Sequence, residues 1–104
     1  MILVNTDFIT GKNLHTLSLV KGSVVRAKHI GRDMMAGFKT IVGGEIKGYT
    51  EMMNEARVTA TNRMIQDAAS IGADAVINVR FVSCEVMQGT AEVIVYGTAV
   101  KFIQ

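Results

Sequence analysis

A chain of 104 residues is one domain long, read here as a single domain over residues 1–104, and it can bury a modest core without a second unit. Hydrophobic residues make up 49% against 19% charged, with mean hydropathy +0.31, so this small chain carries more apolar surface than its own core needs; a subunit interface is the expected outlet. A net charge of +2, spread from Lys12 to Lys101 with Tyr49 and Tyr96 far apart, makes no basic and aromatic stripe for nucleic acid. No apolar run approaches the ~20 residues of a membrane helix.

The first residues, Met1 to Asp7, contain neither a basic n-region nor a small-residue cleavage site, so a cytoplasmic location is expected. One cysteine, Cys84, rules out an internal disulfide and suits a reducing compartment.

In chain order, Ile2 to Val4 reads as a short strand, and Gly11-Lys12-Asn13 signals a turn after Phe8 and Ile9. Leu14 to about His29 is rich in strand formers. Lys21-Gly22-Ser23 is a poor two-residue hairpin loop, so one long strand bent by a glycine bulge is preferred to a hairpin about Gly22. Asp33 is placed to cap a short helix through Met34, Met35, Ala36, Phe38 and Ile41, which Gly37 weakens.

Gly43-Gly44-Glu45 then hands a loop to the most secure element, a helix from near Tyr49 to about Ile71. Tyr49, Met53, Ala56, Ala60, Met64, Ala68 and Ile71 recur at spacings of three and four and form an apolar stripe. Glu45, Glu51 and Glu55 lie toward its positive end, Arg63 and Asp67 are spaced to pair, and Gly72 is the expected C′ residue. Small alanines on the stripe let a sheet approach closely.

Asp74 to Val86 reads as a strand with Ala75, Ile77, Val79 and Phe81 on the face toward the helix. After a turn at Gln88-Gly89-Thr90, Ala91 to Phe102 is the last strand, apolar on both faces: Val93, Val95 and Ala99 on one, Ile94, Tyr96, Val100 and Phe102 on the other. One helix covers one face, so another subunit is expected over part of the second. The fold class is α+β, a mainly antiparallel sheet packed against one long helix.

Val42-Gly43-Gly44-Glu45, Tyr49, Ala56-Arg57, Arg63-Met64, Ala68, Gly72-Ala73-Asp74-Ala75-Val76, Asn78-Val79-Arg80 and Tyr96-Gly97-Thr98-Ala99-Val100 resemble the YbjQ-like family, described as heavy-metal-binding. The resemblance covers essentially the whole chain. It implies a subunit shaped like that of dodecin, a ring-shaped homo-oligomer of five copies and no catalytic activity.

Heavy or transition metal ions take thiolate, imidazole or thioether ligands, and a transport site would show Cys-x-x-Cys, which is missing here. Cys84, His15, His29 and Glu45 are the candidate metal ligands, each also explicable as a packed or solvated residue. The seven methionines are read as packing residues. Repetition about a ring axis lets one ligand per subunit complete a coordination sphere. Gly43, Gly44, Glu45, Tyr49 and Arg57 form a candidate small-ligand pocket at a subunit boundary. The alternatives to metal binding are therefore a small-ligand-binding ring and a purely structural or regulatory oligomer. No nucleophile and base stand at catalytic spacing, so no catalytic residue is assigned.

Overall fold

The computed structural model describes residues 1–27, 41–42 and 45–104. A four-stranded sheet, in the order β1-β5-β6-β2, packs one face against a single long helix, α1, as α+β architecture requires. The strands are β1 (Ile2–Leu3), β2 (Asn13–Ala27), β5 (Ala75–Met87) and β6 (Thr90–Ile103). A separate two-stranded ribbon, β3 (Ile41–Val42) with β4 (Glu45–Ile46), precedes α1 (Lys47–Ser70). The expected short helix after Asp33 lies outside the described residues, except that Ile41 belongs to this ribbon.

The helix follows its sequence closely. Ala56, Ala60, Met64 and Ala68, each four residues after the last, are buried as one ridge against Val20, Val24, Val76, Val93, Val95 and Ala99, with Met53 packed against them. Each fully buried valine or methionine here contributes roughly 2 kcal/mol by leaving water. Gly72 ends the helix at φ 77°, donating to the Ala69 carbonyl at 3.1 Å while Ala73 donates to that of Ala68 at 3.1 Å. That pair of bonds is a Schellman cap. The expected acidic start is corrected: the helix begins at Lys47, so Glu51 lies past its first turn, which holds no acid. Ile71, expected on the stripe, is exposed.

β2 runs unbroken through Gly22, as the preferred reading had it, but its irregularity falls at Leu17, between Thr16 and Ser18. Gly22 has another purpose. A Cβ there would collide with the Ala60 carbonyl oxygen and the Met64 amide nitrogen, so glycine lets the helix backbone rest on the strand. At that close range Asp67 and Arg63 both reach β2. The Lys21 amide donates to Asp67 Oδ2 at 3.1 Å, and Arg63 Nη1 donates to the Ser23 carbonyl at 2.7 Å. The intrahelical pairing expected of these two residues is thus replaced by contacts to the strand.

The largest correction concerns β5. Between Ile77, opposite Thr98, and Arg80, opposite Tyr96, two residues face Gly97 alone. This bulge places Asn78 at φ 54° and packs Val76 and Val79 against Gly97, whose hypothetical Cβ would lie 2.6 Å from Val76 Cγ1. Ala75 and Ile77 therefore point away from the helix, whereas Val76 and Val79 pack into the helix-side core. The regular alternation expected from Ala75 to Phe81 does not survive the extra residue.

On the face away from α1, Ala75, Ile77 and Val100 are sealed by Val4 and Ile9 of the N-terminal segment, with Leu14 and Phe102 beside them. Hydrogen bonds from the amides of Val4 to Val76 and of Val79 to Val4, both 3.0 Å, and from Asn78 to Thr6, 2.9 Å, hold that segment along β5. The turn before β2 is the expected one, with Gly11 at φ 78° and the Lys12 amide donating to the Ile9 carbonyl.

Candidate functional site

Beyond the sealed patch no described residue is packed over the same face. Register aligns three rows across β5, β6 and β2: Arg80, Tyr96 and Lys21; Val82, Ile94 and Ser23; Cys84, Glu92 and Val25. Among them Tyr96 is 37% exposed and Val25 56%, and Leu19 at the margin reaches 69%. Contiguous exposed apolar surface of this kind marks an interaction site. Ile94, Tyr96 and their neighbours thus form the uncovered apolar surface that the last strand's two apolar faces imply.

Cys84 lies in this bare half with its thiol exposed, and its Sγ is 3.9 Å from Glu92 Oε1 directly across the ladder. A thiol and a carboxylate so placed are two donors aimed at one side of the sheet. Thiolate suits soft and borderline ions, and carboxylate suits borderline and hard ones. Among the described residues no three of His, Cys, Asp and Glu come together as a ligand set, so one chain supplies at most this pair.

Glu92 was missed by sequence reasoning for a definite reason. Counting outward from the turn at Gln88 and Gly89 sets Cys84 opposite Val93, on the helix side. The irregularity between Glu85 and Met87 adds one residue to β5 and moves Cys84 opposite Glu92 instead. The open glycine turn, with Gly89 at φ 75°, was a visible signal; the extra residue beside it was not.

The other candidates are scattered. His15 is exposed on β2 opposite Lys101, at the far end of the sheet from Cys84, and His29 lies outside the described residues. Gly43 and Gly44 also lie outside them, and Glu45 pairs with Val42 in the small ribbon. Tyr49, half-buried near the start of α1, and exposed Arg57 are eight residues apart, about 12 Å of helix rise. Arg57 Nη1 donates to Asn54 Oδ1 at 2.9 Å. No described contact draws Tyr49 and Arg57 into one pocket.

Arg57 does line an open groove of about 310 Å³, with Val58, Thr61, Asn62 and Phe81, on the helix side of the molecule. It exists because α1 lies over β2 and β6 and only grazes β5, leaving Phe81 half exposed. Among the described residues an apolar patch thus lies on each side of the sheet. Among the described residues no helix is long and apolar enough to cross a membrane.

Comparison with known proteins gives a consistent picture. The model of the YbjQ_1 family, described as "Putative heavy-metal-binding", matches residues 1–103. A UPF0145 protein of Clostridium novyi (strain NT) is 64% identical over 103 residues, covering 99% of this chain and all of its own. Another, from Methanosarcina acetivorans, is 51% identical over 104 residues, covering 99% of this chain and 98% of its own. Among solved structures, a protein of unknown function from Pediococcus pentosaceus, assigned to the DUF74 family, superimposes with a TM-score of 0.65 at 12% identity. It covers 99% of this chain and 98% of its own, and at that identity the likeness speaks for the fold alone.

Proposed function

The chain belongs to the YbjQ_1 family, and we propose that it acts as a cytoplasmic homo-oligomer that holds a heavy or transition metal ion between subunits, each contributing Cys84 and Glu92. The observation that carries this reading is the 3.9 Å approach of Cys84 Sγ to Glu92 Oε1 on the uncovered apolar half of the sheet. Two donors leave a tetrahedral ion half coordinated, and a neighbouring copy brings the rest. Burial of the surrounding face in that contact would lower the local dielectric and favour the neutralised, metal-bound thiolate over a free one.

A ring of five, the number that the family resemblance implies, requires a heterologous contact in which one patch of each copy meets a different patch of the next. In such a ring the Cys84–Glu92 pairs of successive copies meet about the ring axis, where repetition of one pair per subunit completes the coordination sphere. The role is binding and assembly, without catalysis, and no nucleic acid or membrane partner is part of it.

Calorimetric titration of the purified oligomer with Zn(II), Cd(II), Ni(II) and Cu(I) tests the metal. We expect saturable binding with no more than one ion per chain, weakened at least tenfold by Cys84→Ser and measurably by Glu92→Gln. Binding no tighter than that of the denatured chain would end the metal reading and leave a purely structural oligomer, for which the bare face alone is sufficient.

A further inference from the structure

The two long edges of the sheet are treated differently. β1 and the residues after it flank β5 only as far as Val79, so from Arg80 to Met87 the side of this strand away from β6 has no neighbour among the described residues. β2 is the opposite edge. Along its middle the groups that turn away from β6 belong to alternate residues, Lys21 and Ser23 among them. Unpaired edge groups of this kind template the addition of another strand.

Here one outward group of each is already taken, the Lys21 N–H by the Asp67 carboxylate and the Ser23 carbonyl by the Arg63 guanidinium. A third tie, between side chains, runs from Arg26 Nη2 to Thr59 Oγ1 at 3.2 Å, three residues further along β2. Gly22, between the two hooked residues, is what lets α1 sit low enough for short and long side chains alike to reach the edge.

We infer that Asp67 and Arg63 are an edge guard: by occupying one outward backbone group each of Lys21 and Ser23 they stop the outer β5 edge of a second copy from adding to β2. Both edges are level with the same stretch of β6, since Lys21 to Val25 and Arg80 to Cys84 share partners from Tyr96 to Glu92. β2 and β5 each run antiparallel to β6 and hence parallel to each other. A copy displaced sideways by one sheet width would therefore present β5 to β2 in parallel register. That contact is head-to-tail, and without a rotation that closes, it grows into an open-ended array. The guard thus leaves assembly to the two faces. The inference stands independently of metal binding.

The test compares wild type with Arg63→Ala/Asp67→Ala by analytical ultracentrifugation over a range of concentrations, with circular dichroism to follow the fold and Gln66→Ala as a surface control. We expect the double variant to keep its helix and sheet but to shift to species of at least twice the wild-type mass that grow with concentration. Lys21→Pro in the same background, which removes the N–H at an edge position, should restore the wild-type distribution. A folded double variant with unchanged mass distribution would overturn the inference, as would larger species that Lys21→Pro does not reverse. Hydrogen exchange on the wild type decides the matter even if the double variant fails to fold. The Lys21 amide must be protected at least tenfold over an open edge amide such as that of a free peptide, and an unprotected Lys21 amide refutes the guard.

Discussion

The face of the sheet turned away from α1 has two halves built from the same strands and the same kinds of residue, yet with opposite fates. Around Ala75, Ile77 and Val100 the chain folds its own N-terminal segment over the strands and the residues are buried; around Val82, Ile94 and Tyr96 nothing in the described chain does so. The difference arises from the cover rather than from strand composition. An alternating pattern says that a face is apolar, and only the rest of the chain, or another chain, says what lies on it.

This contrast can be broken most forcefully by the same charge placed in each half. Val100→Asp buries an uncompensated carboxylate where no partner exists, and we expect a loss of about 5 kcal/mol or outright unfolding in urea titration. Gly22→Ala acts on the helix-covered side, where a methyl group meets backbone atoms of Ala60 and Met64. We expect about 3 kcal/mol of destabilisation in the same titration.

Ile9→Ala thins the N-terminal cover of the sealed half. Ile9 is only half-buried, so a smaller loss of about 1–2 kcal/mol is expected, together with faster hydrogen exchange of the neighbouring β5 amides. Ile94→Asp, in the bare half, should change chain stability least, by under about 1 kcal/mol once assembly is accounted for. Its effect belongs to sedimentation: the oligomer should fall apart. An intact oligomer carrying Ile94→Asp would remove the bare half from the interface.

The sequence made the regular parts legible and hid the exceptions. The ridge from Ala56 to Ala68 and the Gly72 cap could be read because helical periodicity and a left-handed C′ residue leave direct marks. The two faces of β6 were equally readable. Gly22 was visible as a special position but its cause was not, since a glycine that admits a helix backbone and one that makes a bulge look alike in one dimension.

Asn78 offered the faint hint that asparagine tolerates positive φ, but nothing local required a bulge there. The faces of β5 were therefore misassigned at Ala75 and Ile77. The second irregularity, beside Met87, concealed Glu92 as the neighbour of Cys84. Arg63 and Asp67 show the same lesson for side chains: their spacing fits a local pair, while the strand edge beneath the helix offers each a backbone partner. Contacts fixed by register and by approach between elements are properties of the assembled fold, and single-sequence spacing does not encode them directly.

The central claim is that Cys84, on the bare half, is a metal ligand completed by neighbouring copies. Titrating the oligomer with Cd(II) while recording the cadmium–thiolate charge-transfer absorption tests it most directly. The account predicts a saturable band in the wild-type oligomer that is absent in Cys84→Ser and lost when Ile94→Asp separates the subunits. No band in the wild type, or an equal band in the separated chains, would contradict it.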